Sequence, residues 1–563
     1  MIARRTALLI PTLILTLAIV RLTAGCARET VKPLVVMIAV DGATPETLTE
    51  LRAQAKLPAI DRLIRSGASG PMESLAARRR LRPQPRRGYW SPIVWASMAT
   101  GKVPDKHGIV DFLLPVPGTS FAWIGSDVGP PRATLHIPEL TGTPPHTLRL
   151  RLRGYPPNGA QRATIAMNAH ELGAVSVGEE WADATFPIPA AATRPAQNEI
   201  GIELERQSRP SDNGRSNDHR VLAGALASLQ VVDATGASVV ELDPIYDRFA
   251  LERGFHQPEA KVVEAGSGHM RAQPVWSLLG DRGHPVGVIG YWNTWPAYPV
   301  NGFLVSSHLG VRGKRQGIDD QLTWPPELID EVRALSPDDD TMERLTRELY
   351  PKSCTPLEAT SVASFERIVW QDAYYFRIAQ ELLPTMESGF FTVYFESIDA
   401  SGHLFLPLKY GAELPPGCPD SVRDVVDETY VQVDRWIGAL VQSLPEHAIV
   451  IVVSDHGMAP GGDRGLHAPF GIFVGQGGGF RRGAETRGTT ILDVAPTILH
   501  ALGEPIPLDM DGKIAVSSFD AAWLEAHPPR YVDVDTSLVP ITAPTEEVSE
   551  EMLERLRSLG YIE

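Results

Sequence analysis

Six residues of types that commonly hold metal ions stand at three places in the chain. Asp41 ends the run "LVVMIAVD". Asp399 and His403 lie in "ESIDASGHLF". Asp455 and His456 end the run "IVIVVSDH", and His467 follows eleven residues after His456. Carboxylate and imidazole together suit zinc, and less often manganese or iron. Three aspartates and three histidines divide into two sites of three protein ligands each, leaving open positions for a nucleophile and a substrate oxygen. Two ions close together can clamp the attacking and leaving oxygens of an in-line displacement at phosphorus. Ser91, in "YWSPIVWASMATGKVPDKHGIVDF" (89–112), is the candidate nucleophile, at the start of a stretch patterned as a helix through Met98. A helix N-terminus and a nearby ion would lower the pKa of its hydroxyl. The same spacing also reads as a plain helix cap with Pro92 at the first helical position. Each aspartate taken alone also reads as a turn former. The residues by themselves leave both readings open.

The elements that must position these residues show in the apolar runs. Residues 34–40, 285–292, 390–397 and 448–455 are of strand length and lack alternation. That marks strands buried on both faces, as in a parallel sheet covered by helices. Between the last two, Val422, Val425, Val426, Val433, Trp436, Ile437, Leu440 and Val441 recur at helical spacing, which fits a crossover helix. Ligands of open α/β sheets bind beyond the carboxyl ends of the strands. Three strands therefore aim Asp41, Asp399 with His403, and Asp455 with His456 and His467 at one edge. Residues 117–245 differ in texture. "TLRLRLRGY" alternates strictly, and short strands separated by Gly, Pro and Asn follow, as in an antiparallel sandwich. The expected fold is α/β, a mostly parallel central sheet flanked by helices, with an inserted antiparallel β-sandwich.

Taken in order, "VDG" (40–42), "SPIVWASMATGKVPDKHGI" (91–109), "YWNTWPAYPVNGFLVS" (291–306), "DASGH" (399–403), "SDHGM" (454–458) and "ILDVAPTILHALG" (491–503) carry a resemblance. Over 33–116 and 255–520 the chain resembles the alkaline phosphatase superfamily, most closely its type I phosphodiesterase/nucleotide pyrophosphatase family. The resemblance implies an alkaline-phosphatase-like sheet and two zinc ions, with manganese as the substitute. One ion would be held by Asp41, Asp455 and His456, with Ser91 bridging to it; the other by Asp399, His403 and His467. It implies that Ser91 attacks phosphorus and forms a phospho-seryl intermediate, which a zinc-activated water hydrolyses. The expected activity is cleavage of phosphodiester or pyrophosphate bonds in a phosphate-ester small molecule, glycan or lipid. A phosphomonoesterase on the same site and a glycan-binding surface lipoprotein with a relict site are the rival readings.

Some residues depart from the family pattern. Its members usually have Thr where Ser91 stands, which keeps the hydroxyl, and an Asn after the "HGI" turn that holds a phosphoryl oxygen. Here Asp111 and Phe112 follow that turn. An added acid there would repel a dianionic monoester and favour diesters. Sulfatases of the superfamily need Cys or Ser in a C/S-x-P-x-R setting, which Ser91-Pro92-Ile93-Val94-Trp95 lacks. The related metal-dependent phosphoglycerate mutases serve glycolysis, which does not suit an exported chain.

Export is read from the N-terminus. Arg4 and Arg5 precede an apolar run at 7–20, too short to span a membrane comfortably, and Cys26 follows Ala24-Gly25 as in a lipobox, although Thr23 replaces the usual Leu. The expectation is a periplasmic or cell-surface protein attached through lipidated Cys26. In an oxidising compartment Cys354 and Cys418 could pair. A net charge of −16 argues against binding nucleic-acid duplexes. The expected organisation is a signal peptide at 1–26, catalytic segments at 33–116 and 255–520, a jelly-roll-like sandwich at 117–245 and a tail with a short helix at 521–563. The sandwich would either bind glycans or wall the cleft. Six arginines within 78–87 could draw anionic substrates or form a solvated loop. Trp292, Trp295 and Tyr298 could line a cleft or pack internally, while His107 reads as structural and His500 as surface or core.

Overall fold

The computed structural model describes residues 32–75, 90–309, 321–350 and 359–538 except 117–118, 128, 214–217, 245–249, 258, 415 and 462–463, together with 548, 553 and 557. The N-terminal segment with Cys26, the 78–87 arginines, Cys354 and most of the tail helix lie outside the described residues. Two compact units emerge, one formed by the chain up to Phe112 and from Ala265 onward, the other spanning Leu113–Glu264.

The first unit is built on a nine-stranded sheet. Its order is Thr323–Trp324, Gly302–Val305, Val286–Ile289, Gly389–Phe395, Leu34–Val40, Ile449–Val453, Phe470–Gln476, Ala68–Glu73 and Ala484–Glu485. The five strands from Gly302–Val305 to Ile449–Val453 are mutually parallel. Phe470–Gln476 runs antiparallel to both its neighbours. The missing alternation in "LVVMIAV" has its cause here. Leu34, Val36, Ile38 and Val40 enter one core, and Val35, Met37 and Ala39 enter the other. Successive side chains of a strand point to opposite faces, so a strand covered on both sides is apolar throughout.

Helices supply both covers. Helix Val425–Gln442 lays Val426, Val433, Trp436, Ile437 and Leu440 on the first core. Helix Ser91–Thr100, through Val94, Trp95 and Met98, and helix Val494–Ala501 cover the second. Leu34–Val40 lies between Gly389–Phe395 and Ile449–Val453, so the chain reverses its direction of strand addition at this point. Such a switch opens a crevice beyond the strand ends.

The second unit holds two antiparallel sheets. One is ordered Leu251–Arg253, Arg132–Pro138, Gln197–Leu204, Gln161–Met167 and His170–Val177; the other Ser238–Leu242, Gly224–Val232, His146–Gly154 and Ala182–Ile188. Leu148, Leu150 and Leu152 are buried between them, while Arg149 and Arg151 are exposed. Arg153 is half-buried, its guanidinium 5.0, 4.8 and 4.6 Å from the rings of Phe121, Trp123 and Trp181. Among the described residues no helix is long and apolar enough to cross a membrane.

Candidate metal centre

The site is assembled where three adjacent parallel strands end. Asp41 follows Leu34–Val40, and its N–H still donates to Phe395 O at 2.8 Å, which extends the ladder one residue. Gly42 turns the chain at φ +72°, where a Cβ would lie 2.7 Å from Asp399 Cα. Only glycine tolerates both that backbone and that approach. Asp41 Oδ2 accepts from Trp95 Nε1 at 2.9 Å and from the Tyr394 hydroxyl at 2.5 Å, and Trp292 Nε1 donates to the same Tyr394 oxygen at 2.7 Å. One carboxylate oxygen is thus held by aromatic donors. The other, Oδ1, lies 3.3 Å from His456 Nε2.

Asp455 and His456 follow Ile449–Val453, where the chain enters a β-hairpin of Gly457–Pro460 and Gly465–Ala468 rather than a helix. A capping aspartate at a strand-to-helix corner is therefore excluded for Asp455. The hairpin pairs Met458 with His467, which returns His467 to the side of His456. The two imidazoles stack with centroids 3.8 Å apart. His456 Nε2 lies 3.4 Å from Asp455 Oδ2 and 3.9 Å from Asp399 Oδ1.

Asp399 and His403 sit one turn apart on helix Ser397–Lys409, on a common face. His403 Nε2 is 3.5 Å from Asp399 Oδ2 and 2.8 Å from His467 Nε2; His467 Nε2 is 3.4 Å from Asp399 Oδ1. The start of this helix is held by Asp372 of helix Ala359–Leu382. The Asp372 carboxylate accepts from Glu396 N at 2.9 Å and from Ser397 N at 2.7 Å.

Two groups of donors converge, with ligand atoms within 4.8 Å of one another: Asp41, Asp455 and His456, and Asp399, His456 and His467. His456 belongs to both, and His403 flanks the second through its short contact with His467. The electrostatics call for positive charge. Burial, then the like charge of Asp399, pushes Asp41 up to about 7 against the Tyr394 and Trp95 hydrogen bonds. Asp455 is raised well above the carboxylate range by burial and by the charges of Asp41 and Asp399. Burial acts upward on Asp399 too, but His403, His467 and His456 together hold it low.

Burial drops His456 well below its usual value and brings His403 down to about 4. Both imidazoles are therefore neutral at pH 7. His456 Nδ1 faces Gly457 O at 3.1 Å and His403 Nδ1 faces Gly465 O at 3.0 Å. A carbonyl only accepts, so Nδ1 carries the proton in each and Nε2 presents a lone pair. The His456 lone pair then points at carboxylate oxygens. Asp41 Oδ1, both Asp455 oxygens and His456 Nε2 are buried with no hydrogen-bond partner among the described residues. Buried acceptors facing one another are repulsive unless a proton or a metal ion lies between them, and that repulsion is what raises the Asp41 and Asp455 carboxyls. The donor set fits a pair of metal ions.

Ser91 is the first residue of helix Ser91–Thr100. It is buried, Trp90 is the N-cap, and no side chain caps the helix, so Ser91 does not act as the cap. Trp95, one turn on and on the same face, is the indole bound to Asp41. Ser91 thus shares a helix face with the residue that contacts Asp41.

Several positioning residues have no signal in a single sequence. Trp95, Tyr394 and Asp372 lie in stretches that read as ordinary core. Asn293 donates through Nδ2 to Pro92 O at 2.8 Å, joining its segment to the start of the Ser91 helix. His107 is buried, donates to Ser97 Oγ at 2.7 Å and accepts from Ile109 N, and burial lowers the pKa of its imidazole to about 3, which leaves it a structural residue. Trp295 is buried against His308, Tyr298 accepts from Trp276 Nε1, and His500 is buried beside Phe519 and Trp523. The Asp111 carboxylate accepts from Phe112 N at 2.8 Å, and Phe112 packs on Trp90 and Trp292. Cys418 is disulfide-bonded.

The family model described as type I phosphodiesterase / nucleotide pyrophosphatase matches residues 35–128 and 245–469. The catalytic subunit of GPI ethanolamine phosphate transferase 3 from Mus musculus is 25% identical over 166 residues, 27% of this chain and 13% of its own length. The chain thus spans about an eighth of that relative's length. Among solved structures, phosphonoacetate hydrolase from Sinorhizobium meliloti 1021, in complex with phosphonoformate, has a TM-score of 0.31 and 13% identity. That match covers 76% of this chain and 57% of the other. The 2-O GAG sulfatase BT1596 has a TM-score of 0.37 and 9% identity, covering 87% of this chain and 74% of the other.

Proposed function

Because the chain belongs to the type I phosphodiesterase/nucleotide pyrophosphatase family, whose model matches more than half of it, we propose an exported two-zinc hydrolase that cleaves phosphodiester or pyrophosphate bonds through Ser91. The observation that carries the metal reading is the His456 lone pair facing Asp41 and Asp455, whose buried oxygens lack hydrogen-bond partners. Asp41, Asp455 and His456 would hold one ion; Asp399, His403 and His467 would hold the other. Zinc suits the mixed oxygen and nitrogen donors, with manganese as substitute. Such ions would neutralise charge on the phosphoryl oxygens and lower the pKa of a nearby hydroxyl or water.

The chain's own residues then have defined tasks. Ser91 Oγ forms a bond to phosphorus, loses its proton, and the leaving alkoxide departs and is protonated. Water displaces Ser91 from the phospho-seryl group in a second in-line step, restoring the hydroxyl. Trp95 and Tyr394 hold Asp41 in one orientation throughout, and Asp372 holds the helix carrying Asp399 and His403. Asp111, two residues beyond the "HGI" turn, favours a monoanionic diester over a dianionic monoester.

Export rests on the apolar run at 7–20 and on Cys26, which would carry the lipid anchor at the cell surface or in the periplasm. The disulfide at Cys418 supports an oxidising compartment. The substrate class is a phosphate ester borne by a small molecule, glycan or lipid. The relative named a transferase suggests an alcohol in place of water as the second acceptor. The test is hydrolysis of bis-p-nitrophenyl phosphate beside p-nitrophenyl phosphate, with and without an added alcohol. Faster diester cleavage supports this reading, faster monoester cleavage makes the protein a phosphomonoesterase, and a phosphorylated alcohol product makes it a transferase.

A further inference from the structure

A third group of metal-binding side chains lies in the second unit, outside the site described above. His136, Glu199 and Glu252 bring one imidazole nitrogen and two carboxylate oxygens within 4.8 Å of one another. They come from three adjacent antiparallel strands, Leu251–Arg253, Arg132–Pro138 and Gln197–Leu204, with His136 on the middle strand. Register aligns them. Glu199 is directly opposite His136. Leu251 pairs with Leu135 and Arg253 with Thr134, so Glu252 is the extra residue of a β-bulge. Leu135 is buried in the sandwich core, and alternation places Glu252 on the opposite, outer face with His136. Bulges commonly re-aim a side chain in this way.

His136 Nε2 is 2.9 Å from Glu252 Oε2, and among the described residues the one other cation within ion-pair distance of Glu252 is Arg253 at 3.8 Å, a largely exposed side chain. Glu199 has no Lys or Arg within ion-pair distance among the described residues. Even with a protonated imidazole the trio is net negative, on a protein already at −16. His136 Nδ1 is enclosed without a hydrogen-bond partner among the described residues, so Nε2 is the nitrogen that faces the carboxylates. One nitrogen and two oxygens from a rigid sheet make a three-ligand set of the kind that holds zinc with an open fourth position.

We infer that His136, Glu199 and Glu252 form a third divalent-metal site, of zinc type, that ties three strands of the inserted sandwich together. A cation bound there stabilises the folded unit by mass action, because the unfolded chain does not hold the three donors together. The site is independent of the candidate catalytic centre, so its test does not depend on activity.

The experiment is zinc content of the full chain by elemental analysis, after equilibration with micromolar zinc and gel filtration, for wild type, H136Q and E252Q. Each variant is expected to hold one equivalent fewer than wild type while phosphodiester turnover is unchanged. Zinc should also raise the unfolding temperature of wild type more than that of either variant. Equal zinc content and equal thermal response in all three proteins would overturn the proposal and leave His136–Glu252 as a surface ion pair. Because the reading is a difference between wild type and variant, loss of metal at the catalytic centre leaves it intact.

Discussion

The Tyr394 hydroxyl lies 2.5 Å from Asp41 Oδ2, across two adjacent parallel strands whose residues 40 and 395 are in register. With Trp95 Nε1 on the same oxygen, this contact leaves Asp41 Oδ1 as the atom directed at His456. Tyr394→Phe removes one of two donors and keeps the ring. We expect zinc affinity to fall about ten- to a hundredfold, the usual cost of losing a partner that orients a ligand. Turnover should fall at limiting zinc and recover at saturating zinc. Wild-type activity at low free zinc would sink this role.

Ser91→Ala is expected to lower turnover roughly a thousandfold or more, as for loss of other hydrolase nucleophiles. Metal content should stay unchanged. Ser91→Thr keeps the hydroxyl and should retain measurable activity. Trapping of phosphate on the wild-type chain, absent from Ser91→Ala, checks the assignment independently.

Asp455→Ala and His456→Ala should behave alike. Both residues belong to the donor group of Asp41, Asp455 and His456, and a neutral imidazole offers its one lone pair to one ion. Each variant is expected to lose one zinc equivalent and to keep the other. Elemental analysis of the two proteins decides; full retention of zinc in either would refute the assignment.

Gly42→Ala forces a side chain into a left-handed backbone and to within 2.7 Å of Asp399 Cα. The strain of a non-glycine residue there is about 1–3 kcal/mol before any clash is counted. The melting temperature should drop, and zinc should be held less tightly because the Asp41 and Asp399 segments must separate. An unchanged melting temperature together with unchanged zinc affinity would refute this.

Asp372 supplies a pH dependence. Burial raises its carboxyl from 3.8 to about 7, opposed by the N–H groups of Glu396 and Ser397. A raised folded-state pKa means that the native protein holds the proton more tightly than the unfolded chain. Its contribution is therefore fully present below pH 3.8 and is lost as pH rises through about 7. In that window the slope reaches at most about 1.4 kcal/mol per pH unit for one proton. Asp372→Asn, which carries no titrating proton, should flatten the wild-type stability profile between pH 4 and 7. Profiles of equal slope would show that Asp372 stays ionised.

The strands were legible because a doubly covered sheet writes itself as uninterrupted apolar runs, and the short length and β-branched content of "IVIVV" and "LVVMIAV" set them apart from a buried helix. The amphipathic helix at 425–442 was legible from its apolar spacing in the same way. What followed Asp455 was not. A hairpin of "GMAP" and "GLHA" lacks both strand alternation and length, and it rests on helix Ser397–Lys409, where Met458 lies beside Gly402 and His467 meets His403. The partition of ligands came from the family resemblance and not from residue type, since His403 and His456 are alike in type and differ only in which oxygens their Nε2 atoms meet.

By itself the sequence determined the α/β class, the interrupting sandwich and a set of six chemically capable residues, because apolar periodicity and side-chain type are local properties. Only the tertiary structure decided that Trp95, Tyr394 and Asp372 orient that set, that His456 stands between its two halves, and that His136, Glu199 and Glu252 meet at all. Those relations join residues up to several hundred positions apart through strand register and a bulge, and pairing energy of that kind exists only once the sheet has formed.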